Sequence, residues 1–352
     1  MSLDDRIEEM THAAIGERVF PGCVVGYLRD DNVTVLPFGH LTYETGSAAV
    51  TDRTIYDVAS ITKSIPTSSI ILKLIEDGRL SLDDKAVNFL PELTNEYREK
   101  ILIRHLLTFT VTFRLSDTMA NLAKQSPVRL LQTIFAAPLE APPGQKYIYT
   151  NAPSLLLGLI AERICRKPLD DIAHDMFFEP LHMTRTTFHA RPVQAREIAP
   201  TAVDWRGEVR GLVHDPSAGA LYQLGHVPGH AGLFSTAPDL LKFADMLIHG
   251  GKTGGHRFFD KKTIAGMHTI QIQAADESAG LGWTMRRPQV MGTAGSAQMF
   301  GKTGFTGTMI LIDPVKKMAL VVLSNRTYPE TPESYEPMRA FWRGMADLVF
   351  AD

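Results

Sequence analysis

The chain has 352 residues, of which 44% are hydrophobic and 21% charged, with a formal net charge of −3. That length buries a large core in one big domain or two joined ones, and the composition is that of an ordinary globular protein. No basic block is present, which sets nucleic acid aside as a partner, and no apolar run approaches the roughly 20 residues that span a bilayer.

The chain opens on the polar, acidic Met1-Ser2-Leu3-Asp4-Asp5, without the basic and apolar regions of a secretory leader. As written it reads as cytoplasmic; removal of a leader would make it periplasmic or extracellular. Residues 3–17 predict an amphipathic helix with Ser2 as its N-cap. Short apolar runs at 23–28 and 33–38 predict two strands, joined by a hairpin turn at Arg29-Asp30-Asp31-Asn32. A third strand over 54–58 leads to Ser60. The pattern is then helical from Ser60 to about Ile75, where Asp77-Gly78 ends it. Pro66 lies one turn inside and is placed to kink this helix.

Residues 80–200 read as helical pieces (104–107, 127–135, 153–166) separated by loops, with Pro142-Pro143-Gly144 just before Tyr149. The 201–236 stretch is rich in Gly and His and has little periodicity. A helix follows over 238–248. Strands at 280–285, 298–302, 308–313 and 318–324 suit an antiparallel meander, and a last helix covers 335–350. This order predicts an α+β fold: an antiparallel sheet flanked by N- and C-terminal helices, with an all-α domain inserted in the middle. Residues 1–75 and 201–352 would form the sheet domain and 76–200 the helical insert. The cleft between them is the expected site.

The chemistry concentrates in three places. Ser60-Ile61-Thr62-Lys63 is an S-x-x-K tetrad at a strand-to-helix junction, where one helical turn brings an amine beside a hydroxyl. Ser60 is the expected nucleophile and Lys63 its base, provided that burial or nearby positive charge depresses the amine pKa; Lys302 could supply that charge. Tyr149-Thr150-Asn151 supplies a phenol for proton transfer and an amide able to hold Lys63 and meet a substrate carbonyl. Lys302-Thr303-Gly304 completes the set on a cleft-lining edge strand, with Lys302 and Thr303 facing substrate and Gly304 letting it approach the backbone. The N–H groups of Ser60 and Phe305 would form the oxyanion hole. A second K-T-G, Lys252-Thr253-Gly254, sits among glycines after a helix and reads as a turn.

Other features read as structural. Cys23 and Cys165 have apolar neighbours and read as free thiols. His214, His226 and His230 raise a metal reading, but Pro228 and Gly229 preclude a regular H-x-x-x-H helix, so structural or substrate-lining roles are expected, and no metal. Ser116-Asp117-Thr118 lacks the Asn of an S-D-N motif. There is no G-x-S-x-G elbow of the α/β-hydrolase kind.

These residues together resemble the serine β-lactamase and penicillin-binding-protein-like hydrolases, especially the class C β-lactamase and family VIII esterase branch. The resemblance runs over nearly the whole chain, through Asp57-Val58-Ala59-Ser60-Ile61-Thr62-Lys63, Tyr149-Thr150-Asn151, Gly229-His230-Ala231-Gly232 and Phe300-Gly301-Lys302-Thr303-Gly304-Phe305. It implies that Ser60 is acylated, that Lys63 and Tyr149 handle protons, that Lys302 contacts substrate or aids the base, and that no cofactor is needed. One departure stands out: relatives often read H-T-S-G after the paired leucines, where this chain has Thr108-Phe109-Thr110-Val111-Thr112-Phe113. Lys302 itself leans the expected substrate toward carboxylate-bearing β-lactams or peptides. The expected function is a serine hydrolase of a small-molecule ester, β-lactam or D-amino-acid amide. The alternative is a catalytically inactive binding or assembly protein on the same fold, against which the intact Ser60, Lys63, Tyr149 and Lys302 count.

Overall fold

In the computed structural model, which describes residues 1–190, 196–274, 277–285 and 287–351, the first helix, α1 (Leu3–Gly16), starts as its sequence implies. The Asp5 N–H donates to Ser2 Oγ at 3.1 Å, and the Ser2 N–H donates back to the Asp5 carboxylate at 2.8 Å. This reciprocal cap satisfies two N–H groups that the first helical turn leaves unpaired.

Eight strands form one antiparallel sheet: β1 (Gly22–Arg29), β2 (Asn32–Gly39), β3 (Ile272–Gln273), β4 (Ser278–Ala279), β5 (Thr284–Met285), β6 (Phe300–Gly304), β7 (Thr308–Asp313) and β8 (Met318–Ser324), in the order β2-β1-β8-β7-β6-β5-β4-β3. The N-terminal hairpin therefore joins the C-terminal meander through β1 and β8, with Val25 opposite Val322. Alternation along β8 feeds two cores. Ala319, Val321 and Leu323 pack into one, and Leu320 and Val322 into the other. The second core is closed by α1 and the C-terminal helix (Glu336–Val349), through Ile7, Phe341 and Trp342. The first core runs from the sheet without interruption into the helical middle of the chain, through Leu241, Leu156 and Leu106. The α+β class and the antiparallel meander are as the sequence implies.

Two expectations change. The 54–58 strand shrinks to Tyr56–Asp57, which leaves the main sheet and pairs with Phe234–Ser235. The single helix expected from Ser60 to Ile75 is broken. A tight turn of helix covers Ala59–Lys63, Ile65 is extended (φ −117°, ψ 109°), and the regular helix α2 spans only Ser69–Glu76. The cause is Pro66, whose ring pushes the residue before it out of helical conformation.

Candidate active site

The residue before Ser60 is held where side chains rarely go: Ala59 has φ +47°, a left-handed conformation that costs a non-glycine residue about 1 kcal/mol or more. The surroundings impose it from several sides. The Asp57 carboxylate accepts from the Ala59 N–H at 2.9 Å and from the His214 N–H at 2.7 Å. Thr306 Oγ1 donates to the Asp57 carbonyl at 2.7 Å, and Thr308 Oγ1 to the Val58 carbonyl at 3.0 Å. The hairpin after the Lys-Thr-Gly motif thus pins the chain just upstream of Ser60.

Lys63 Nζ lies 2.7 Å from Ser60 Oγ and donates to the His230 carbonyl, also at 2.7 Å. Lys63 is fully buried. Burial pushes its amine down to about 7, against the opposing pull of Asp215. The positive charge expected from Lys302 is not what lowers it; loss of hydration is.

Tyr149 is 40% exposed as a residue and lines the cleft. Packing around its hydroxyl raises the phenol pKa, and a hydrogen bond with Ser60 works in the opposite direction. The Tyr149 ring lies beside the Lys302 amine, 4.3 Å from centroid to Nζ, while Phe109 approaches the same nitrogen at 4.4 Å.

Lys302 departs from its expected place. It is only 2% exposed, and its amine has no hydrogen-bond partner among the described residues. Burial, reinforced by the charges of Lys63 and Arg287, holds its pKa well below the ordinary lysine range. Thr303, Gly304 and Phe305 line the cleft alongside Ser60, and so does the guanidinium-bearing Arg287, whose Nε sits 2.8 Å from Glu277 Oε1. Among the described residues that line the cleft, the one lysine or arginine is therefore Arg287, paired with Glu277, while Lys302 reaches the cleft through the Tyr149 ring.

Asn151 also differs. It lines the cleft, but its amide donates to Asp215 Oδ2 at 3.1 Å, and Lys63 takes the His230 carbonyl as its second partner. Behind Lys63 runs a polar chain from the cleft-lining Asp215 to the buried Ser217 and His230. Ser217 Oγ donates to Asp215 Oδ1 at 2.6 Å and lies 2.9 Å from His230 Nε2. Burial lowers the His230 pKa, so the ring is neutral near pH 7. Sequence reasoning missed Asp57, Asp215, Ser217 and Arg287 as site residues. Asp57 and His230 at least stood inside the stretches that carried the resemblance.

The motif implies that Gly304 admits substrate. Gly304 lines the cleft, and the chain itself is a close neighbour as well: a Cβ here would overlap the Val58 carbonyl and Thr308 Oγ1. Gly229 has a similar task. A Cβ on it would come 2.9 Å from Gly158 Cα, so its absence lets the 229–233 loop lie on the helix Ala152–Cys165 and present the His230 carbonyl to Lys63.

The remaining candidates have structural partners. His226 Nδ1 is 2.8 Å from Glu162 Oε2. Both cysteines are free, Cys23 buried and Cys165 half-buried. Thr118, from the imperfect S-D-N stretch, caps the helix Met119–Gln125 by accepting from the Asn121 N–H. Lys252–Thr253 pairs with His256–Arg257 in a small hairpin, a turn as expected. No cluster of three or more His, Cys, Asp or Glu side chains with metal-binding geometry occurs among the described residues, and none of their helices is long and apolar enough to cross a membrane.

Comparison with known proteins converges on one group. A family model described as "Beta-lactamase" matches residues 3–341. A protein of Escherichia coli (strain K12) named "Putative D-alanyl-D-alanine carboxypeptidase" is 31% identical over 336 residues, covering 85% of this chain and 75% of that protein. Among solved structures, "EstCE1, a hydrolase with promiscuous acyltransferase activity" superposes with a TM-score of 0.80 at 22% identity, covering 98% of each chain. The octameric penicillin-binding protein homologue from Pyrococcus abyssi gives 0.75 at 26% identity, covering 96% of this chain and 76% of that one.

Proposed function

The chain belongs to the beta-lactamase family, and on that premise we propose that it is a serine hydrolase working through an acyl-enzyme on Ser60. The observation that carries this reading is the buried Lys63 amine, 2.7 Å from Ser60 Oγ and depressed to about 7. At that value a large share of the amine is neutral at physiological pH and able to accept a proton.

Neutral Lys63 takes the Ser60 proton as Oγ bonds to the substrate carbonyl carbon. The oxyanion rests on the N–H groups of Ser60 and Phe305. As the intermediate collapses, the C–O or C–N bond breaks. Tyr149 passes its proton to the leaving atom and recovers one from the Lys63 ammonium. Water then attacks the acyl carbon by the same route, releasing the acid and restoring Ser60. Lys302 serves this relay from behind Tyr149. Asn151 and Asp215 support the wall next to Lys63.

The bond cleaved is that of a carboxylic ester, a β-lactam or a D-amino-acid amide. The name of the Escherichia coli relative supports the amide, and Arg287 in the cleft complements a carboxylate on the leaving side.

The test is covalent. Incubation with p-nitrophenyl esters, nitrocefin and a fluorescent penicillin, followed by peptide mapping, should place an acyl adduct on Ser60. Ser60→Ala should lose labelling and at least roughly 10³-fold in turnover while remaining folded. An adduct on another serine, or undiminished turnover in the variant, would reject the assignment.

A further inference from the structure

The catalytic cleft, of about 650 Å³, has a neighbouring hollow. Its apolar side is built by Phe113, Leu115, Met119 and Ala120, the last two on the helix Met119–Gln125. Ala123 and Lys124 of that helix line a second groove, of about 1020 Å³. Pro216, at the start of the helix Pro216–Gln223, lines both. The two hollows therefore share a helix and a proline.

The groove is also lined by Trp205, 65% exposed, and Leu212, 52% exposed. With Phe188, Val213 and Tyr222 they give the groove an apolar wall, beside the polar Gln125, His189 and Gln223, and contiguous apolar surface in a concavity is what ligand sites are built from. The indole is also held in place. Lys124 Nζ lies 4.5 Å and Arg206 Cζ 4.8 Å from its ring. Arg206 is itself anchored on the Asp204 carboxylate at 2.7 Å and the Val213 carbonyl at 2.9 Å. A ring fixed this way costs little entropy to use as a binding wall.

We propose that this trough, running from Ser60 past Met119 and Pro216 to Trp205, binds the acyl part of the substrate and selects long apolar acyl chains. The inference rests on the hydrolase reading above. The direction follows from the proton relay: the leaving atom has to face Tyr149, which has Lys302 beside it and feels the charge of Arg287. The acyl group is left with the apolar wall.

Two measurements test it. The first is a series of p-nitrophenyl acetate, butyrate and octanoate. Wild-type kcat/KM should rise along the series by on the order of tenfold or more, since each fully buried methylene contributes up to about fourfold. In Trp205→Ala the octanoate-to-acetate ratio should collapse toward unity; a ratio within one variant cancels any loss of folded protein. A flat wild-type series, a ratio that survives in Trp205→Ala, or a length preference that follows the alcohol instead of the acyl group would overturn the proposal. The second measurement needs no turnover. Of the three tryptophans, Trp283 and Trp342 are fully buried, so a change in emission reports Trp205. Titrating Ser60→Ala with octanoate should shift the emission to the blue, saturably; no shift also overturns the trough. Should the wild type hydrolyse no ester and also fail to be labelled on Ser60 by nitrocefin or penicillin, the hydrolase reading is what fails, and the titration still decides the groove.

Discussion

Three amines or amides that look interchangeable in the sequence have three different environments. Lys63 meets Ser60, Lys302 meets two aromatic rings, and Asn151 meets Asp215. Of the three, Lys63 combines contact with Ser60 and a pKa of about 7. The sign of the resulting pH dependence is fixed, because protonated Lys63 cannot accept the Ser60 proton. kcat/KM should climb with unit slope below about 7, the value set by burial, and level off about one pH unit above it. Lys63→Ala should lose roughly 10²–10⁴-fold in turnover. A profile that keeps rising into the range of an unperturbed lysine or a tyrosine would transfer the base role away from Lys63. The Ser60–Lys63 pair was legible in the sequence because its geometry is local, one helical turn. The partners of Lys302 and Asn151 were not, because Phe109 and Asp215 reach them from distant segments.

Among the elements, the β6–β7 hairpin does more than line the cleft. Its threonines fix the carbonyls of Asp57 and Val58, and Gly304 packs on the same segment. The left-handed Ala59 is thus imposed by a strand that lies more than two hundred residues away in sequence. Gly304→Ala should push the segment carrying Ser60 out of position. The expected result is a loss of about 1–3 kcal/mol in stability, as for overpacking, and roughly 10²-fold in the acylation rate, as for a misplaced reacting group. Calorimetry and single-turnover labelling measure the two. An acylation rate within about twofold of wild type, with the protein folded, would show that the hairpin does not position Ser60. The helix expected from Ser60 to Ile75 belongs at this scale too. Apolar periodicity continues through Pro66, but periodicity reports which face is buried and not whether the backbone stays helical.

At the scale of the whole molecule, the sheet separates two cores, and one of them continues into the helical middle. We propose residues 76–200 as a helical domain and 1–75 with 201–352 as the sheet domain. The shared core couples their stability, so one cooperative thermal transition is expected; two separated transitions in calorimetry would refute the coupling. The buried ionisable groups add a pH dependence. Lys63 falls from 10.5 to about 7, so between those values the unfolded chain binds the extra proton and stability rises with pH. Lys302 acts in the same direction. Asp57, raised by burial from 3.8 to about 6, acts oppositely and makes stability fall as pH rises through that lower window. Lys63→Met should therefore gain on the wild type near pH 7 and lose that advantage near pH 10. The difference should be a few kcal/mol, because a tenfold change in proton affinity is worth about 1.4 kcal/mol. An equal gap at both pH values would show that Lys63 is not buried against its charge.

The sequence by itself determined the order of elements, the apolar run that makes β8 a buried strand, and the pairing of Ser60 with its nearest amine. Each of these depends on spacing within a few residues. The tertiary structure alone decided that Ala59 is left-handed, that Lys302 hides behind Tyr149, that Arg287 lines the cleft, and that Gly304 makes room for Val58. Those outcomes depend on contacts between segments far apart in the chain, and their energies come from burial and close packing, which no local pattern encodes.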